Sequence, residues 1–352
     1  MCIRDSIYTT SLKPFTNLNE LPRQRHYHPD INGKLEKDKN GMQKVQFIPS
    51  DGPIIGENTI EEYEQTANNI DYSIDEMLYT LNKYNWRAPN FKKEDGKDAI
   101  MFFGDSFTFG VGVRDEEVYP QLVCNHLNKI NWNLGCGGID NKIMLYILEH
   151  FIGMGYIPSM VVVNWTTAHR KLLMMNDSFS KNAIPGRNQA SNLFDLQFDG
   201  NTVHEHYKVW SPDWVLKDAD SLRNSLPAKA WTMSHENEMY IDFYNTRNSF
   251  HKTCGLNDIP LIEMFNHEDV AYFSYIMDGG TPTTDMNVWA NKFVAHHPQY
   301  MIQEFGSVEN AYKLHQNPAS EGGDWGRDNL HWGPKRQKWC YDKTITLINQ
   351  AN

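Results

Sequence analysis

The run Ala99-Ile100-Met101-Phe102-Phe103 ends at Gly104-Asp105-Ser106-Phe107-Thr108-Phe109-Gly110, and this junction restricts the fold more than any other stretch of the chain. Five apolar residues with no polar alternation, stopped by a glycine, predict a buried strand of a parallel sheet running into a turn. A turn leaving such a strand stands at the carboxyl edge of the sheet, where open α/β folds place their ligands. The residue presented there is Ser106. A serine hydroxyl is a weak nucleophile until a neighbouring base takes its proton, so the chain must bring a base to it.

The candidate base lies near the other end, in Gly323-Asp324-Trp325-Gly326-Arg327-Asp328-Asn329-Leu330-His331-Trp332-Gly333-Pro334. Asp328 and His331 are three positions apart, so one turn of helix-like backbone puts both side chains on one face. The carboxylate would then hold the imidazole Nδ1–H and leave Nε2 to accept the serine proton. Asp-x-x-His alone is a common spacing. The informative feature is the order: an early strand running into Gly-Asp-Ser, then Asp-x-x-His just before a last helix.

On these residues the chain resembles the SGNH (GDSL-type) hydrolase family. Gly104-Asp105-Ser106 matches its first block and Asp328-x-x-His331 its last, while Asn133-Leu134-Gly135-Cys136-Gly137-Gly138, after the short strand expected at 130–134, matches its second. The resemblance implies a flavodoxin-like, three-layer α/β/α sandwich around a parallel sheet. It assigns Ser106 as nucleophile, His331 as base and Asp328 as orienter, with the backbone N–H groups of Ser106 and Gly138 forming the oxyanion hole. A glycine suits that last place, because without a Cβ its amide can approach the tetrahedral oxygen closely.

The third block departs from the family, which places an asparagine, as Gly-x-Asn-Asp, just after the third strand. Here the strand at 159–163 runs into Asn164-Trp165-Thr166-Thr167-Ala168-His169-Arg170. Counted from the strand, the asparagine slot falls on Thr166, and Asn164 comes two residues too early. Loss of one oxyanion donor typically costs ~10²–10³ in turnover. Three readings follow: Asn164 or Thr166 supplies a replacement, the enzyme is slow, or the chain is a binding protein on a hydrolase fold.

Further strands and helices alternate along the chain, which predicts a parallel, right-handed α/β sheet. Helices are expected at 118–129, 142–156, 237–254 and 334–348, and strands at 130–134, 159–163 and 259–265. Residues 1–98 read as an N-terminal arm packed on the core, with a helix near 59–72 and a strand at 78–82. The core spans 99–352, interrupted by inserts at 171–235 and 266–325. Both inserts are far longer than ordinary connections and leave the sheet at its carboxyl edge, so they are expected to form a cap over the serine.

The first insert carries Tyr207, Trp210, Trp214 and Trp231. Trp210 and Trp214 are candidate substrate contacts, set against the plainer reading that aromatics form the insert's own small core. Arg170 could bind a substrate carboxylate or form a structural ion pair. His26-x-His28 and His204-x-His206 lack companion cysteines or carboxylates at ligand spacing, so no metal site is read. Cys136 is read as packing, and Gly110-Val111-Gly112 does not complete a dinucleotide fingerprint.

A net charge of −11 argues against nucleic acid or an anionic membrane surface as main partner. No run approaches the ~18 apolar residues of a membrane span. Five widely spaced cysteines without a CxxC pair favour reduced thiols and a cytoplasmic setting. The opening Met1-Cys2-Ile3-Arg4-Asp5-Ser6 leads into no patterned segment and is expected not to be native sequence, which leaves the true start open. The leading expectation is a serine esterase working through an acyl-Ser106 intermediate, with no metal or organic cofactor. The resemblance points to O-acyl carbohydrates or short-chain esters as substrates. An O-acyltransferase on the same residues, and a non-catalytic carbohydrate-binding or structural protein, are the alternatives.

Overall fold

The structure, a computed structural model, describes residues 38–46, 78–84, 86–137, 139–168, 171–175, 193–196, 205–210, 236–265, 268–280, 331 and 333–351. In chain order the elements are β1 (Gln43–Gln46), β2 (Leu78–Leu81), β3 (Ala99–Phe103), α1 (Ser106–Phe109), α2 (Tyr119–Leu127), β4 (Ile130–Asn133), α3 (Asn141–Gly153) and β5 (Met160–Trp165). There follow β6 (Lys171–Met175), β7 (Leu193–Leu196), β8 (Glu205–Trp210), α4 (Glu236–Leu256), β9 (Leu261–Phe265), α5 (Glu268–Met277) and α6 (Pro334–Ala351).

Four of these strands form a parallel sheet in the order β4-β3-β5-β9. Side chains of a strand alternate between faces, and β3 shows both faces buried. Ala99, Met101 and Phe103 join the apolar cluster with Ile143, Ile147, Phe151 and Phe250, from α3 and α4. Ile100 and Phe102 join the opposite cluster with Tyr119, Val123, Cys340 and Ile348, from α2 and α6. Helices therefore cover both faces, and the molecule is the three-layer α/β/α sandwich that the buried apolar run requires.

The segment before β3 contributes to this core. Asn82 folds the chain back by accepting from the amides of Tyr84 and Trp86, and its Nδ2 donates to the Pro89 carbonyl. Trp86, Ala88 and Phe91 are buried among residues of the sheet and α3. β1 and β2 pair antiparallel beside them. The helix expected at 59–72 lies outside the described residues.

The element limits differ from expectation in one instructive place. β5 runs to Trp165, two residues past the apolar run, because Asn164 and Trp165 continue the ladder opposite Met264 and Phe265. Between 171 and 210, β6, β8 and β7 form a separate antiparallel sheet. The stretch expected as the second insert opens with α5, whose Val270 and Ala271 are buried in the core and whose Phe273 stacks on Tyr240 of α4.

Candidate active site

Ser106 begins α1, a single turn seated directly on the end of β3. Asp105 caps that turn: its carboxylate accepts from the Phe107 amide, and its carbonyl accepts from the amides of Thr108 and Phe109. The strand can reverse this sharply only because Gly104 has no side chain. A Cβ there would lie 2.0 Å from Thr108 Oγ1 and 3.3 Å from Asn164 Cβ.

The loop after β4 lies against the same turn. Leu134 donates its amide to the Phe102 carbonyl and Cys136 to that of Gly104, extending the parallel pairing beyond the strands. Asn133 ties loop to turn, its Nδ2 donating to the Thr108 carbonyl and its Oδ1 accepting from the Gly135 amide. A Cβ on Gly135 would sit 2.4 Å from the Phe109 amide nitrogen, so the contact requires glycine. Gly138, the expected second oxyanion donor, lies outside the described residues. Cys136 is buried with its thiol directed at the Gly137 carbonyl, in keeping with a packing role.

From 225 positions away, His331 arrives with Nε2 2.8 Å from Ser106 Oγ. Both side chains are almost wholly buried, each 6% exposed. The ring of Phe107 packs on the imidazole, with centroids 5.1 Å apart and planes tilted by 58°. With its proton on Nδ1, this imidazole is placed to accept the serine proton at Nε2. Asp328, the expected orienter, lies outside the described residues.

The two candidates for the missing asparagine have opposite surroundings. Thr166, the first residue after β5, is fully buried; its hydroxyl donates to Asp105 Oδ2 at 3.1 Å and its amide to Asn141 Oδ1 at 3.1 Å. Asn141 Nδ2 returns a bond to the Thr166 carbonyl. Both Thr166 donors are thus engaged in bracing the Ser106 turn against β5 and α3. Asn164 lies inside β5 beside Gly104, fully buried, and neither atom of its carboxamide has a hydrogen-bond partner among the described residues. Buried polar groups are nearly always paired, so this carboxamide on the strand beside Gly104, two residues before Ser106, is an exception.

Arg170 and Trp214 fall outside the described residues, and Trp210 is described only as backbone at the end of β8. Among the described residues no group of three or more His, Cys, Asp or Glu side chains could hold a metal ion, and no helix is long and apolar enough to cross a membrane. Cys124, Cys136, Cys254 and Cys340 are buried, and none of them forms a disulfide among the described residues. Burial pushes the Cys254 thiol up to about 12, with Glu263 adding to the effect.

Sequence reasoning missed the residues that fasten the site from behind. Arg87 sends Nε to Asp115 at 2.6 Å, Nη1 to the carbonyls of Phe109 and Gly110, and Nη2 to the Val113 carbonyl at 2.8 Å. Its guanidinium also lies over the Tyr79 ring, 4.2 Å from the centroid. Arg87 therefore holds the chain leaving α1. Asn133 was visible as part of a motif, but nothing in the sequence around Arg87 or Asn141 signals their contacts.

No protein-family model matches this chain, and no curated protein sequence matches it. Among solved structures, a member of the lipolytic protein G-D-S-L family from Veillonella parvula is similar, with 11% identity and a TM-score of 0.33. The alignment covers 72% of this chain and 98% of that one. The psychrotrophic esterase EstA from Pseudoalteromonas sp., in a structure inhibited by monoethylphosphonate, is similar at 14% identity and a TM-score of 0.32, over 72% of this chain and 97% of its own.

Proposed function

We propose that this chain is a serine esterase acting on O-acyl carbohydrate or short-chain esters. The observation that supports it most is the 2.8 Å approach of His331 Nε2 to Ser106 Oγ, at the carboxyl edge of a parallel sheet. Ser106 Oγ attacks the ester carbonyl carbon while its proton passes to Nε2. The tetrahedral oxygen is received by the backbone N–H groups of Ser106 and Gly138, and by the carboxamide of Asn164. Collapse expels the alcohol, which takes the proton from His331, and leaves an acyl group on Ser106. Water then repeats the attack with His331 again as base, and the carboxylate is released.

Asp328 holds Nδ1–H in this scheme and keeps the tautomer that leaves Nε2 free. The burial of both reacting side chains supports the reading physically, since proton transfer and oxyanion stabilisation gain strength where water is excluded. The decisive experiment reacts the protein with a fluorophosphonate probe and with p-nitrophenyl acetate. Wild type is expected to be labelled and to turn over, and Ser106→Ala to do neither. His331→Ala is expected to lose at least ~10³-fold in kcat. Undiminished labelling of Ser106→Ala would remove Ser106 as nucleophile, and an unreactive wild type that still binds glycans would favour the non-catalytic reading.

A further inference from the structure

A buried amide on the last helix joins the two halves of this site. Gln337 is fully buried on α6, six residues after His331. Its Oε1 accepts from the Tyr119 amide at 2.9 Å, and its Nε2 donates to the Phe107 carbonyl at 3.0 Å. Both are groups that helical geometry leaves open. Tyr119 opens α2, where the first amides have no partner within the helix, and the preceding Val118 makes no side-chain cap. Phe107 belongs to the single turn of α1, too short to return a bond to every carbonyl. A carboxamide offers an acceptor and a donor together, so the two contacts also fix which way the amide faces.

Phe107 makes this geometry consequential. It follows the nucleophile in sequence, its carbonyl receives Gln337, and its ring packs against His331. We propose that Gln337 is a positioning residue, clamping the start of α6 to the nucleophile turn so that the imidazole stays within reach of Ser106. The proposal rests on reading these two residues as base and nucleophile. Apolar contacts of Cys340 and Ile348 with the sheet hold the body of α6. They are non-directional, whereas the two bonds of Gln337 are directional and lie near the amino-terminal end of α6, where His331 enters. A misplacement of about 1 Å at a reacting pair can cost ~10²-fold in rate.

The test uses Gln337→Met, which keeps the volume and removes both bonds, and Gln337→Asn, which keeps the carboxamide but draws it one methylene back from the Tyr119 amide and the Phe107 carbonyl. Crystal structures of the variants are expected to show Nε2 and Oγ separated beyond the ~3.5 Å limit of a hydrogen bond. Fluorophosphonate labelling is expected to slow about 10- to 100-fold in the otherwise wild-type protein. In a His331→Ala background the same change should cost less than about twofold, because a residue acting through His331 has nothing left to act on. Equal slowing in both backgrounds, or a Ser106–His331 separation still near 2.8 Å, would overturn the proposal. Should Gln337→Met fail to fold, Gln337→Asn carries both measurements. Failure of the esterase reading shows up elsewhere, as an unreactive wild type, and the crystallographic distance then decides the clamp alone.

Discussion

Replacing Thr166 with valine separates two roles that the residue after β5 can have. In the structure its hydroxyl donates to Asp105, the residue that caps the turn begun by Ser106. Hydrogen bonds to a charged group contribute about 1.5–3 kcal/mol, and a methyl group at the same fully buried position returns close to ~1 kcal/mol of apolar transfer. Thr166→Val should therefore lower the free energy of unfolding by about 0.5–2 kcal/mol, read as a fall in the urea midpoint. Asp105 keeps its bond from the Phe107 amide, so kcat for p-nitrophenyl acetate should stay within about tenfold of wild type. Were Thr166 an oxyanion donor, its loss would instead cost ~10²–10³ in kcat. A hundredfold slower variant with an unchanged urea midpoint would refute this account.

Asn164→Leu supplies the mirror experiment. Its carboxamide is buried without a partner among the described residues, so an apolar side chain of similar shape should leave stability unchanged or raise it. If Asn164 is the third donor to the tetrahedral oxygen, kcat should fall ~10²–10³-fold while the protein becomes no easier to unfold. The two variants thus predict opposite pairings of stability and rate. A kcat within about threefold of wild type would remove Asn164 from the oxyanion hole.

Two further outcomes follow from groups behind the site. Arg87→Met leaves the Phe109, Gly110 and Val113 carbonyls and Asp115 without their cation, and should cost about 3–5 kcal/mol in urea unfolding; Arg87→Lys should recover only part, since an ammonium cannot reproduce the fork. Glu263 is buried, which by itself raises its pKa, but bonds from His251 and Arg247 outweigh burial and hold it down at about 2, against an ordinary 4.5. A depressed carboxylate stabilises above its unfolded value and loses that contribution as pH falls toward 2, here about 3 kcal/mol in all, of which about 2 are gone by pH 3. Urea midpoints at pH 7 and pH 3 check this, and an equal acid loss in Glu263→Gln would show that another group is responsible.

What the sequence disclosed and what it concealed divide along the range of the interactions. β3 was readable to the residue, Ala99–Phe103, because burial on both faces removes every polar residue and a glycine marks the end. The end of β5 was not readable, because Asn164 and Trp165 break the apolar run while their backbones still pair with β9. The contact of Ser106 with His331 was legible in the sequence, since a serine read as a nucleophile calls for a base, and that chemical demand spans 225 positions. No such chemical demand points to Gln337, whose partners are 218 and 230 positions away, or to Arg87, which reaches carbonyls 22 to 26 positions ahead. Their partners are backbone groups, which every residue carries and which therefore leave no mark in the sequence. Motif residues thus point to the chemistry to be tested at a site. The side chains that hold those residues at working distance become visible only when each open amide and carbonyl around the nucleophile turn has been traced to its partner.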